Sequence, residues 1–213
     1  MGPLEILRTT ERALRRVDCR FAVAGGIAAN LFRKEPRLTR DVDLLLLADA
    51  PIRSQEVAGR LLRDLGFRVG IARQADLKRS PMMGRKTSPV VMLVGRMEGR
   101  ESEGGVDILL PGMLWVPQAV ERAQHHVIDF GFAKLPTITV EDFIVSKAFA
   151  LRDNPSRFKD MDDVQAVFES GNLLDLIYLV EQFERFRLSL PRELRRSAPS
   201  ALRRVMRSRA KRS

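Results

Sequence analysis

The 213-residue sequence contains one cysteine, one tryptophan, one tyrosine and two histidines. A lone cysteine excludes an internal disulfide and any cysteine-rich zinc site. Cys19 precedes an apolar run and reads as a small core residue rather than a nucleophile. His125 and His126 are adjacent, so their side chains diverge on a helix or a strand. They read as surface residues, not as a shared metal site. Long apolar runs are lacking too, and none approaches the roughly 20 residues that span a bilayer. Met1-Gly2-Pro3-Leu4-Glu5 has neither the basic start nor the apolar stretch of a signal peptide. A cytoplasmic protein with no membrane association is the expectation.

What is present suffices for a folded core: 45% of the residues are hydrophobic and 30% charged. The net charge of +10 is unevenly placed. Residues 185–213 hold eleven Lys/Arg against one acid, Glu193, whereas residues 1–184 hold 26 of each sign. The body is therefore neutral, and the basic character belongs to the tail.

Apolar spacing predicts a helix from Leu4 to Val17, a strand at Phe21–Ala24 and a short helix at Ile27–Phe32. It further predicts a strand at Val42–Leu47 and a helix opened by Asp49-Ala50-Pro51 and closed by Gly66. Strands follow at Phe67–Ala72, Val90–Val94 and Val106–Leu110, with a basic loop from Lys78 to Ser88. That loop reads equally as a solvated segment or as a positive lip over a triphosphate or RNA. After Pro136 the chain turns helical, at about 140–152, 157–169 and 172–187, with a basic segment at the end. Thr139 and Asp142 have the spacing of a capping box at the first of these helices. The expected fold is α/β (α+β): a small mixed sheet with packed helices, then a helical region. The expected division is a catalytic core over 1–136, a helical region completing the active site over 137–190, and a basic tail over 191–213.

Asp41-Val42-Asp43 leads into four leucines. Residues i and i+2 of a strand share a face, so the two carboxylates project together from a strand otherwise suited to burial. Like charges at a half-buried position are costly unless a cation compensates them. Asp107 is likewise an acid inside an apolar strand, Val106-Asp107-Ile108-Leu109-Leu110. Should that strand lie beside the first, three carboxylates converge, an arrangement suited to two metals clamping a phosphoryl transfer. Gly25-Gly26, between a strand and a helix, is a turn whose amides can approach a phosphate.

In this order and spacing, Val23-Ala24-Gly25-Gly26-Ile27, Arg37-Leu38-Thr39-Arg40-Asp41-Val42-Asp43 and Val106-Asp107-Ile108 resemble the signature of the polymerase-β-type nucleotidyltransferase superfamily. The Gly-Gly form with Arg-x-Thr-x-Asp-hydrophobic-Asp is closer to the AbiEii-like branch, which includes toxins of toxin–antitoxin systems. Thr139-Val140-Glu141-Asp142-Phe143, Lys147, Arg152 and Lys159-Asp160-Met161-Asp162-Asp163 are similar to that branch's later motifs, so the likeness spans about residues 20–168. The resemblance implies Mg²⁺, as two ions, on Asp41, Asp43 and Asp107. It also implies a nucleoside triphosphate against Gly25, Gly26, Arg40 and Lys147, and transfer of a nucleoside monophosphate to a hydroxyl with release of pyrophosphate. Asp107 is the candidate to activate that hydroxyl, and a cognate antitoxin becomes a possible partner.

Lys147 falls within the apolar stripe of its helix, and Asp160 within that of the next. Either the two form a buried pair joining the helices, or Lys147 contacts triphosphate with Asp160 orienting it. Three functions remain in play: transfer to RNA (tRNA) or protein, transfer to a small molecule such as an aminoglycoside, and non-catalytic nucleotide or RNA binding. The three acids count against the last. The basic tail favours an RNA acceptor, with Leu202, Val205 and Met206 forming the apolar stripe of a helix that brings arginines to RNA phosphates.

Overall fold

The computed structural model describes residues 2–17, 19–71, 90–99 and 104–210. The expected loop Lys78 to Ser88 lies outside the described residues. The architecture is mixed α/β, in two compact units: residues 1–28 with 37–138, and residues 29–36 with 139–213.

The first unit is built on a five-stranded sheet. In chain order its elements are α1 (Pro3–Leu14), β1 (Arg20–Ala24), the start of α2 (Gly25–Phe32), β2 (Val42–Leu47), α3 (Pro51–Asp64), β3 (Arg68–Ile71), β4 (Met92–Arg96), β5 (Gly105–Leu109), α4 (Val116–Ala123), β6 (Val127–Asp129) and β7 (Lys134–Pro136). The sheet order is β1-β2-β5-β4-β3, with β6 and β7 a separate hairpin. Within this sheet β2 and β5 run parallel and the other described strand pairings are antiparallel.

Period-two alternation divides the two central strands. Val42, Leu44, Leu46, Val106 and Ile108 join one buried cluster with Ile6, Leu7 and Leu14 of α1 and Ala58, Leu61 and Leu62 of α3. Asp43 and Asp107 therefore project from the opposite face. Cys19 is half-buried against the same cluster, in keeping with a small core residue.

Pro51 starts α3, and Gly66 follows its end at φ +79°. From β5 to β7 the elements are short, a helix of 8 residues and two strands of 3 each; the helix buries Val116, Ala119, Val120 and Ala123 along one face. His126, between α4 and β6, is held by a 2.8 Å hydrogen bond between Nδ1 and the Thr137 carbonyl, while His125 is exposed.

The second unit comprises the end of α2 and helices α5 (Val140–Asp153), α6 (Phe158–Glu169), α7 (Leu176–Arg185) and α8 (Ser200–Ala210), with a 3₁₀ turn at Glu193–Arg195. The Thr139 hydroxyl accepts from the Asp142 amide, capping α5 as expected. The Asp142 carboxylate accepts from the Thr139 hydroxyl through Oδ2 at 2.9 Å and from the Tyr178 hydroxyl through Oδ1 at 2.5 Å. Helix α7 starts later than its apolar pattern suggests because Asp175 caps it, accepting from Tyr178 N at 3.0 Å. Phe143, Phe149, Phe183, Leu188, Leu194 and Leu202 are fully buried. The basic segment is thus anchored through Leu194, Ala198 and Leu202 rather than trailing as a solvated end. Among the described residues no helix is long and apolar enough to cross a membrane.

Candidate active site

The parallel pairing of β2 with β5 sets Asp43 directly opposite Asp107. Register partners on neighbouring strands share a face, so these two carboxylates project to the same side. Asp41 precedes β2 by one residue. All three acids are half-buried, each held where the polar edge of the apolar strands begins.

The glycine turn meets this cluster from β1. Gly25 has φ +55°, a conformation that disfavours other residues, and a Cβ there would collide with the Asp43 carboxylate. The Gly26 amide donates to Asp43 Oδ2 at 3.2 Å. Turn and carboxylate are locked to one another, so the turn is built around the acid. Arg40 is exposed, and its carbonyl lies against Gly104.

The residue that pattern reading missed is Arg96. Its guanidinium donates through Nη1 to Asp107 Oδ1 at 2.7 Å, and Nη2 lies 3.7 Å from Asp41 Oδ1. Arg96 ends β4 opposite Gly105, and a Cβ on Gly105 would strike the guanidinium and the Gly95 carbonyl. The bare glycine makes room for the arginine to cross diagonally to Asp107. Burial pushes the Asp107 carboxyl above its usual range, against the opposing pull of Arg96 and with some help from Asp41. Burial would lower the Arg96 pKa, but the hydrogen bond to Asp107 and the charges of Asp107, Asp41 and Asp43 outweigh it and raise it. Arg96 thus engages two of the three acids, Asp107 and Asp41.

The donor chemistry fits a hard divalent cation, which takes oxygen ligands from carboxylates and leaves positions for substrate phosphate. Among the described residues, however, no three His, Cys, Asp or Glu side chains are gathered at metal-holding spacing. Arg96 is the cation that engages two of these acids here.

In the second unit, Lys147 and Asp160 do come together: Nζ lies 2.5 Å from Asp160 Oδ1. The same ammonium is 2.9 Å from Asp163 Oδ2. Arg33 pairs with Asp163 at 2.9 Å and with Asp162 at 2.7 Å, and Arg157 pairs with Asp160 at 2.6 Å. Asp163 is 0% exposed, Asp160 4% and Lys147 12%, so the centre of this network is buried, while Asp162 at 62% and Arg157 at 40% lie at its exposed edge.

Residues 9–212 match the family described as "Nucleotidyl transferase AbiEii toxin, Type IV TA system". The chain belongs to the AbiEii nucleotidyltransferase family. It is thus a nucleotidyltransferase of a family of toxin–antitoxin toxins. Similar solved structures include the antibiotic-resistance factor ANT(2'')-Ia, at 13% identity and TM-score 0.49, covering 86% of this chain and 88% of that one. An antigenic nucleotidyltransferase-like protein from Paracoccidioides brasiliensis aligns at 15% identity and TM-score 0.47, over 99% and 90%. A CCA-adding enzyme in its apo form aligns at 14% identity and TM-score 0.39, over 99% of this chain but 44% of that enzyme. No curated protein matches the chain.

Proposed function

We propose that this protein is a Mg²⁺-dependent cytoplasmic enzyme that transfers a nucleoside monophosphate from a nucleoside triphosphate to a hydroxyl of an RNA (tRNA) or protein acceptor, as the toxin of a pair with a cognate antitoxin. The observation that carries the reading is the in-register pairing of Asp43 with Asp107, with the Gly25-Gly26 turn closed onto Asp43. Mg²⁺, held by Asp41, Asp43 and Asp107, would supply charge stabilisation to the attacking and leaving oxygens. Asp107 is the general base of choice, because burial raises its affinity for a proton. Arg96, which donates to Asp107 and lies near Asp41, would share these acids with the ion and offset their charge. Gly25, Gly26, Arg40 and Lys147 are assigned to the triphosphate, with Asp160 orienting Lys147.

The test is incubation of the protein with each labelled triphosphate, Mg²⁺, total tRNA and cell protein. Label in RNA or protein, lost in Asp43→Asn, supports the reading. Label appearing only on an added aminoglycoside would replace the macromolecular acceptor with a small one. No label on any acceptor, with triphosphate still bound, would leave a non-catalytic nucleotide-binding protein.

A further inference from the structure

We infer that the second unit carries a binding site for the phosphodiester backbone of RNA, formed by Arg192, Arg195, Arg196 and Arg203. This deepens the RNA-acceptor reading above and rests on it for the choice of RNA among polyanions. These four arginines line a cavity of about 300 Å³. Arg192, Arg195 and Arg196 lie in and beside the 3₁₀ turn, and Arg203 lies on α8.

Two features separate this cleft from an ordinary solvated basic end. First, its frame is fixed. Leu194 is 1% exposed, Ala198 2% and Leu202 0%, so the backbone carrying all four arginines is held by buried apolar anchors. Arg195 is further oriented by donation from its Nε to the Leu190 carbonyl at 3.4 Å. Second, the charge is uncompensated. Among the described residues none of the four pairs with a carboxylate, in contrast to Arg33, Lys147 and Arg157 of the same unit. Glu193, the one acid of the basic segment, is exposed and does not line the cleft.

Four like charges around one concavity repel each other unless an anion enters. Guanidinium groups present paired donors that match phosphate oxygens. Several arginines around one cavity suit neighbouring phosphates on a chain, and Arg204 is exposed just beyond Arg203 to extend the track. The body of the protein is neutral, so this cleft also concentrates the electrostatic attraction for a long polyanion.

The experiment measures binding of full-length protein to fluorescent tRNA by anisotropy, without triphosphate, from about 50 to about 300 mM salt. Arg195→Gln combined with Arg203→Gln should weaken binding roughly tenfold or more. It should also make the log–log salt dependence shallower by about 1.4, at roughly 0.7 per lost contact to a single strand. Arg192→Gln with Arg196→Gln, at the exposed positions, should do the same with no effect on folding. Binding is read without triphosphate and without transfer, so a failed transfer assignment leaves this result standing and the reverse also holds. Unchanged slope and affinity in both double variants would overturn the site. So would displacement of tRNA by inorganic tripolyphosphate at equal phosphate concentration, which would assign the cleft to a small oligophosphate. Binding of an acidic polypeptide in place of tRNA would overturn it in favour of a protein partner.

Discussion

Two clusters of three aspartates, one in each unit, differ in how deeply their acids sit. In the second unit Asp160, Asp162 and Asp163 meet Lys147, Arg33 and Arg157, with ion-pair distances of 2.5–2.9 Å, and Asp160 and Asp163 are 4% and 0% exposed. In the first unit Arg96 lies 2.7 Å from Asp107 and 3.7 Å from Asp41, whose side chains are 18% and 41% exposed, and Asp43 accepts from the Gly26 amide. A matched buried network fixes helices to one another, because no buried member can leave without stranding a partner. Half-buried acids on a sheet face stay within reach of an incoming cation. Burial, more than the presence of acids, therefore separates structure from site.

The largest effect that would test this contrast is on transfer. Asp43→Asn should lower nucleotide transfer by about a thousandfold or more, since a metal-ligating carboxylate is lost from the reacting centre. The unfolding midpoint should hold or rise, because asparagine keeps an acceptor for the Gly26 amide while like-charge repulsion falls. Asp41→Asn should behave in the same way. Wild-type-like transfer in either variant would break the assignment.

Asp163→Asn should do the reverse. Its carboxylate is fully buried and holds both Arg33 and Lys147. Removing one partner of a buried network typically costs about 3–5 kcal/mol. Chemical denaturation of this variant beside Asp43→Asn makes the comparison direct. If both variants lose the same stability, the two clusters do not differ as argued.

Much of this was legible in the chain. The strands bearing Asp43 and Asp107 announce themselves by acids set in runs of leucine and isoleucine, and the Gly-Gly turn by its place between strand and helix. Strand order was not, because pairing is decided by contacts far apart in sequence. That is why Arg96 escaped notice: nothing local marks an arginine at the end of β4, and only its register with Gly105 delivers it to Asp107. Asp163 escaped for a related reason. Helical spacing puts it beside the apolar stripe, and its burial comes from Arg33, 130 residues earlier in the chain.

Lys147 belongs to the matched cluster, yet is assigned to the triphosphate. Lys147→Met keeps most of the apolar stem and removes the charge. Arg33 and Arg157 still hold the two buried aspartates, so the protein should fold with a moderate loss of about 1–3 kcal/mol. Triphosphate affinity, measured calorimetrically on the folded variant, should fall about tenfold, the worth of one charge-assisted hydrogen bond. Unchanged affinity in a destabilised protein would confine Lys147 to joining the helices.

The smallest effect is expected at Arg96, and it probes the half-buried cluster from the cation's side. In the protein without nucleotide, the guanidinium and an incoming metal compete for Asp107 and Asp41. Arg96→Gln removes the competitor and retains a neutral donor able to reach Asp107. A charge-assisted hydrogen bond contributes about 1.5–3 kcal/mol when well buried. Arg96 is 29% exposed and Asp107 18%, so solvent screening reduces that figure. Mn²⁺ affinity without nucleotide, read by the paramagnetic signal of the free ion, should therefore tighten by about three- to tenfold in Arg96→Gln. Asp107→Asn should lose Mn²⁺ binding whether or not Arg96 is present. A variant that binds Mn²⁺ no better than wild type would show that Arg96 supports the acid cluster without occupying a position the metal needs. Weaker binding would make the guanidinium part of the metal site's framework.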